Sequence, residues 1–493
     1  MPEDRSCRIL IVGGGIAGLS AAYRLGQARR QGAPIDESLV EAADRVGGVI
    51  RTDHVEGCLV EAGPDSFLSE KPEAAALARE FGLGDRLLGS NDSQRRTYIL
   101  HQGRLRPLPD GLLLMVPTRI WPVLVTPLIP WNSKLAMARE WLTRRAPGGP
   151  APDGDESVAS FIGRHFGSGM LDHITAPLLA GVYGGDSASL SVRSVLGRFR
   201  QMEEKYGSLT RAALALRKTT AGARPASIFM TLRDGLGSLV DALEAQIEPG
   251  RLELRRRVIR LESAPDSSDG PRYRAVFADG TAREADCVIL ALPAWASAAL
   301  LEGIDPALSD RLAGIRYNSA LTVALAYDGR VRARLPPGFG FLVPRAEGRS
   351  LLACTFVHAK FDHRAPAERA LLRCFLGGPS GPEILNASDA EIVLKVREEL
   401  RSILGLGDQP LFSRVYRWPR AMAQYTVGHG DRLRTIDERL AAHPGLYLAG
   451  NAYAGIGIPD VIRSGEIAAR AACSPGRSVE PVASLPVRAQ AGV

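Results

Sequence analysis

Residues 8–23 read Arg8-Ile-Leu-Ile-Val-Gly-Gly-Gly-Ile-Ala-Gly-Leu-Ser-Ala-Ala-Tyr23, and this stretch decides the fold. Ile9 to Val12 is an apolar run too short for an independent helix, so it reads as a buried parallel strand. Gly13, Gly15 and Gly18 follow in G-x-G-x-x-G spacing, with Gly14, Ile16 and Ala17 between them, and Leu19 to Leu25 continues as a small-residue helix. The first glycine permits a tight turn, the second lets backbone approach a pyrophosphate, and the third lets helix pack on strand. The helix N-terminus turns unpaired N–H groups toward the phosphates. The motif alone is weak; the strand before it and the helix after it give it weight.

The next strand, Ser38-Leu-Val-Glu41, ends on an acid about 20 residues beyond the glycines, where a ribose diol is held. The competing reading is a surface Glu that ends a strand. An acid here disfavours a 2′-phosphate and so NADP. Ala42 to Thr52 then carries Arg45, Gly47, Gly48, Val49 and Arg51, which bring backbone and a cation beside the same diphosphate. Nicotinamide dehydrogenases have no need of that extension, so it points to a flavin. The stretch resembles the FAD-binding signature of the flavin amine oxidase superfamily.

At 493 residues, 45% apolar and 23% charged, the chain has room for two or three globular domains. The net charge of +7 comes with a strong arginine bias: of 61 basic residues only six are lysine. These arginines are dispersed and form no long basic run, which argues against nucleic acid and leaves acidic lipids or carboxylated substrates as partners. None of the six cysteines (Cys7, Cys58, Cys287, Cys354, Cys374, Cys473) stands in ligand spacing, so no metal site is expected, and a reduced cytosolic setting fits. No signal peptide is read at the N-terminus.

Further along, Leu59 to Phe67 predicts a strand running into the turn Gly63-Pro64-Asp65-Ser66, placed against the cofactor ring. Glu73–Phe81 predicts an amphipathic helix, and 97–106 a hairpin turning at Gln102-Gly103. Residues 111–131 are strongly apolar yet broken by Pro117, Pro122, Pro127 and Pro130, so they do not span a bilayer. Trp121, Trp131 and Trp141, with Lys134 and Arg139 nearby, suit a segment lying in a membrane interface; a core or a substrate tunnel would use them equally. Residues 147–155 read as a linker, 156–167 as a short helix, and Phe229 onward as the opening of a helix. Leu252 to Leu261, Tyr273 to Phe277 and Cys287 to Pro293 read as strands. A last strand, 445–451, leads through a glycine turn into a helix from Asp460 to Ala472 with Asp460 as N-cap. Beyond Ser474 the composition predicts disorder.

Four stretches carry a closer resemblance: Pro177 to Asp186, Gly338 to Arg345, Arg417 to His429 and Gly450 to Gly465. They look like the oxygen-dependent protoporphyrinogen oxidases of haem biosynthesis, including bacterial members acting on coproporphyrinogen III. The resemblance implies an α/β (α+β overall) protein: a discontinuous Rossmann-like FAD-binding domain (1–90, 226–297 and 428–473), a mixed-sheet substrate domain (298–427 with 91–110 and 206–225), and a helical membrane-binding insertion (111–205). It implies six-electron oxidation of a porphyrinogen, with oxygen reoxidising the flavin to hydrogen peroxide and no catalytic side chain, since the flavin accepts the hydride. Expected partners are the porphyrinogen, oxygen, the inner face of the cell membrane and the next enzyme, ferrochelatase; a homodimer stays open.

Val258, Trp418, Gly450, Asn451, Gly457, Ile458, Pro459 and Val461 join the cofactor set. Arg95, Arg96, Thr97, Gly181, Gly184, Phe341, Lys360 and Phe361 form the substrate set. Many members carry an Arg at position 97 as propionate anchor; Thr97 departs from that, leaving Arg96, Arg95, Lys360 or Arg345 for the role, and solvated arginines as the alternative. An amine oxidase or carotenoid desaturase on the same fold, and a non-enzymatic porphyrin carrier, are the rival readings.

Overall fold

The computed structural model describes residues 6–113, 116–117, 119–142, 154–219, 227–263, 271–378 and 382–473. Strand β1 (Cys7–Val12), helix α1 (Ile16–Arg30) and strand β2 (Ile35–Val40) follow in order. They seed a five-stranded parallel sheet ordered 252–253, β2, β1, Cys287–Leu290, Leu446–Leu448. Alternation divides its side chains cleanly. Ile9, Ile11 and Ile289 pack with α1 and the helix Ile458–Cys473, while Leu10, Val12, Val288 and Leu290 pack with an antiparallel meander (258–285) and the helices Ala294–Leu301 and Pro306–Ala313. Both faces are covered, which is why the strands read as unbroken apolar runs.

Three local expectations need correction. Phe229–Leu232 is a strand paired with Phe67–Leu68 and Leu87–Gly89, and the helix begins only at Gly237. The run 252–261 is two strands, broken at Arg255, whose φ of 56° lies in the left-handed region. Asp460 is no N-cap: the helix begins at Ile458, and the Asp460 carboxylate is buried against Lys71 Nζ at 2.6 Å.

A second sheet of seven strands is ordered 412–423, 317–328, 369–377, 351–356, 340–342, 97–101, 104–107. The expected hairpin lies at its edge and turns at Gln102 and Gly103, both at positive φ, with their N–H groups donated to Glu347. One face is closed by the helix Asp389–Leu404, which opens on a Ser388/Glu391 capping box. The other face is shared. The ribbon Thr52–Val55/Cys58–Glu61 covers one end, and the helices between 120 and 219 cover the other.

Those helices enclose a buried ionic network. His165, 1% exposed, has Nδ1 3.3 Å from Glu140 and Nε2 3.2 Å from Glu203. Arg164 bridges Glu156 and Glu203, and Arg200 also reaches Glu203. Burial alone disfavours the imidazolium, but the two carboxylates outweigh it and hold the His165 pKa above its ordinary value. Its stabilising contribution is therefore complete below the unfolded pKa of about 6.5 and is lost as pH rises through the folded one. His165→Gln should lower the melting temperature at pH 6, and its deficit against wild type should shrink toward pH 9. A deficit constant across that range would show that the charge contributes nothing.

The tryptophans do not line a core. Trp121, Trp131 and Trp141 are 73%, 70% and 46% exposed, alongside exposed Val125, Leu135 and Leu142. Among the described residues no helix is long and apolar enough to cross a membrane. Residues 147–153 of the expected linker and the tail from 474 lie outside the described residues.

Candidate active site

The glycine turn is built for a ligand in one place only. A Cβ on Gly18 would lie 1.9 Å from Gly13 O, and one on Gly13, where φ is 108°, would lie 2.5 Å from Ala291 O, so both serve the protein's own packing. Gly15 differs: its φ of −69° suits any residue, and a Cβ there would meet nothing within 4 Å. Its glycine keeps space open before the N-terminus of α1. The second glycine loop closes the same space, since Gly47 N–H donates to Gly14 O at 2.8 Å and Gly48 stands against Gly15. Glu41 accepts from Gly14 N–H at 2.6 Å and Ala43 N–H at 2.7 Å, which fixes its carboxylate at the rim of that opening. A dinucleotide diphosphate fits this cradle.

Other members of the expected cofactor set hold the cradle's shape. Arg45 spends its guanidinium on the carbonyls of Val46, Gly48 and Ile50. Arg51 pairs with Asp53 at 2.9 Å, and Val49 and Ala42 are exposed at the rim. Gly450 N–H donates to Ser464 Oγ, and the amide of Asn451 donates to Ala421 O. Gly457, Pro459 and Val461 lie at the start of the last helix beside Ile458, whose side chain is buried with α1. Val258 opens the meander and packs against the cluster that holds Val12 and Val40, two residues beyond Arg256, whose N–H donates to Glu41 O at 2.7 Å.

The turn Gly63-Pro64-Asp65-Ser66 is held from beneath by three cations. Lys360 Nζ lies 3.0 Å from Asp65 Oδ1 and 3.1 Å from Ser66 Oγ. Arg364, 1% exposed, reaches Glu61 at 2.8 Å, Thr231 Oγ1 at 2.5 Å and Asp65 O at 3.2 Å. Arg373 donates to Gly63 O. Burial raises the Asp65 pKa, yet Lys360 and Arg373 reverse this and leave it far below the carboxylate range, while burial lowers Lys360. Trp418 Nε1 and Thr322 Oγ1 both donate to Ala62 O. The turn is thereby rigid and cationic on its inner side. Sequence reasoning missed Glu61, Arg364 and Arg373.

Strand register defines the floor between this turn and the helix Ala176–Tyr183. Thr97 opposes Gly340, Leu342 opposes Ala353, Thr355 opposes Arg373, and Phe375 opposes Thr322. These side chains share one face. Between Thr97 and Thr322 the floor is largely neutral; Arg373 stands there turned to Gly63 and Asp65, while Arg106 and Arg414 lie on the same face toward the two edges of the sheet. At its far edge Gly181 faces Leu342, to which a Cβ would come within 3.5 Å, and Gly184 O accepts from Asn318 Nδ2 at 2.6 Å. Phe341 is on the wrong face: it is 1% exposed in the core beneath the helix 389–404, and alternation brings Leu342 to the floor in its place. Phe361 is buried under Lys360 and Arg364. Arg95 and Arg96 precede the strand, which starts at Thr97, and are exposed, so strand alternation does not orient them.

Comparison with known proteins agrees with this architecture. Residues 16–473 match the family of flavin containing amine oxidoreductases. The chain is 33% identical to a coproporphyrinogen III oxidase of Bacillus subtilis (strain 168), covering 94% of this chain and 98% of that one. It is 34% identical to one from Propionibacterium freudenreichii, over 94% and 90% of the two chains. The chloroplastic protoporphyrinogen oxidase 1 of Arabidopsis thaliana is 29% identical over 91% and 84%. A crystal structure from Exiguobacterium sp. 255-15, provisionally named a protoporphyrinogen oxidase, superposes with TM-score 0.84 at 31% identity, covering 95% and 99%. Reduced UDP-galactopyranose mutase, at 16% identity and TM-score 0.69 over 98% and 97%, shares the fold.

Proposed function

The chain belongs to the flavin containing amine oxidoreductase family and is an FAD-dependent oxidoreductase, and from that premise we propose that it oxidises a porphyrinogen, coproporphyrinogen III in preference to protoporphyrinogen IX. The observation that carries this reading is the floor between the Gly63–Ser66 turn and the helix Ala176–Tyr183. Thr97, Gly340, Leu342, Ala353, Thr355 and Phe375 offer an uncharged surface on one face of the sheet, and an amine substrate would call for carboxylates there. Bound FAD supplies the two-electron acceptor, so three turnovers remove the six electrons separating porphyrinogen from porphyrin, and three molecules of oxygen leave as hydrogen peroxide. Gly15 and Glu41 would hold the cofactor's diphosphate and ribose, and Gly47 and Gly48 would close over them. Asp65 and Ser66, pinned by Lys360, would fix the edge of the turn against which the disc stacks. The floor excludes water from the face that gives up hydride. With no cation projecting from the floor at Thr97, the substrate's carboxylates would be met at the rim, where Arg95, Arg96 and Arg345 are exposed.

Steady-state turnover on the two porphyrinogens tests this. The expected result is a kcat/KM at least tenfold higher on coproporphyrinogen III, the scale of one charge-assisted hydrogen bond, about 1.5–3 kcal/mol. Turnover of putrescine with neither porphyrinogen oxidised would favour the amine oxidase reading.

We also propose that the exposed tryptophans seat the protein on the inner face of the cell membrane. The supporting observation is the run of exposed apolar side chains on the helices Ile120–Val125 and Trp131–Leu142, with Lys134 lying 4.7 Å over the Trp131 ring. Wild type should sediment with anionic vesicles, and Trp131→Ser/Leu135→Ser/Leu142→Ser should stay in the supernatant. Equal sedimentation of the two would place attachment elsewhere.

A further inference from the structure

Arg311, Arg316, Arg420 and Arg432 share one surface and, among the described residues, make no ion pair. The topology brings them together. The helices 294–301 and 306–313 run antiparallel, with Ser309 Oγ donating to Ala298 O at 2.8 Å, so Trp295 lies beside the Arg311 end. The helix His429–Leu440 lies along the second of these. Its far end binds Asp305 through Arg439 and His443, whereas its first turn places Arg432 Nε 3.3 Å from where a Gly314 Cβ would stand. Arg316 follows Gly314 and is exposed; burial lowers the proton affinity of Arg432, and Arg311 and Arg316 depress it further. Arg432 Nη1 is out of solvent without a partner. Of the acids adjacent in sequence, Asp431 is taken by Arg434 and Asp310 pairs with none of the four.

Arg420 completes the patch. It sits in a bulge opposite Ser319 at φ 47°, a strained conformation for a side-chain-bearing residue. Its guanidinium lies 4.1 Å over the Trp295 ring while Trp295 Nε1 donates to Arg420 O.

We propose that these four guanidinium groups form a docking surface for an acidic face of a partner protein, recognised through its Asp and Glu carboxylates. Planar forks bind carboxylates bidentately, and Arg and Trp are the residues enriched at protein interfaces. A lipid surface would need exposed apolar side chains; among the described residues Val427 is the one exposed large hydrophobic side chain near the patch, and the apolar helices are elsewhere, at 120–142. Single-stranded nucleic acid would need a free aromatic face, and Arg420 covers that of Trp295. This proposal is independent of the substrate reading.

The test uses the full-length protein and a fluorescent poly-L-glutamate of about 20 residues as probe, followed by anisotropy at low and physiological salt. Arg311→Ser/Arg316→Ser/Arg432→Ser should weaken binding about tenfold or more, and Arg420→Ser severalfold. A control of equal charge loss, Arg330→Ser/Arg334→Ser/Arg401→Ser, should change it less than twofold. Should the first variant fail to fold, Arg311→Ser/Arg316→Ser, with both residues exposed, should still weaken binding severalfold; unchanged affinity there overturns the proposal. Equal losses in test and control variants overturn it too, because they report net charge alone. So does tighter, patch-dependent binding of a single-stranded oligonucleotide or of phosphatidylglycerol vesicles.

Discussion

Gly15→Val should give a folded, colourless protein, whereas Gly18→Ala should fail to fold. The glycines of one motif are thus expected to separate into two classes. At Gly18 the added methyl meets backbone, Gly13 O at 1.9 Å, and neither strand nor helix can retreat without breaking the sheet–helix contact. Overpacking a core costs about 1–3 kcal/mol when side chains can yield, and more when only backbone is available. At Gly15 the backbone is ordinary and nothing protein-borne occupies the Cβ direction. The fold loses only the difference in capping preference between Gly and Val, about 1 kcal/mol. The ligand's space is what Val fills. Circular dichroism, gel filtration and flavin absorbance per mole of protein measure the two effects separately. Full flavin content in Gly15→Val would show that the opening in front of α1 does not hold the cofactor.

The second large effect is expected at Arg364. Its guanidinium and the Glu61 carboxylate are each 1% exposed as side chains, and Glu61 also accepts from Leu236 N–H at 2.7 Å and Thr52 Oγ1 at 2.7 Å. Arg364→Met would leave a buried carboxylate without its cation, which costs about 3–5 kcal/mol. The damage should exceed that of removing a surface pair such as Arg330–Asp328, where the arginine is 91% exposed and water screens the charges. Urea midpoints compare the variants, and Arg364→Met/Glu61→Gln should recover part of the loss. Equal, small shifts for Arg364→Met and Arg330→Met would mean that the turn at Gly63–Ser66 is held by packing alone.

The contrast between these sites explains what could be read from the residues. The glycine turn, Glu41 and the second glycine pair are local, so their spacing states their geometry. The exposed tryptophans were legible as amphipathic segments, though the sequence left a core role open until exposure decided it. Arg364 and Arg373 were not legible, because Arg364 meets Asp65 across 299 residues and nothing local announces it. Phe341 was misplaced for a different reason. Alternation shows which residues share a face, and in a strand buried on both sides it does not show which face forms the floor of the site. Asp460 has the composition of an N-cap, but Ile458 and Pro459 already open the helix and Lys71 takes its carboxylate.

Anaerobic titration of the purified, FAD-loaded protein with coproporphyrinogen III bears most directly on the central claim, that this flavin takes electrons from a porphyrinogen laid on the floor between the Gly63–Ser66 turn and the helix 176–183. One mole of porphyrinogen should bleach three moles of flavin and release coproporphyrin III, with full colour returning on admission of oxygen. A flavin that stays oxidised with coproporphyrinogen III and protoporphyrinogen IX, yet is bleached by an amine, would contradict the account.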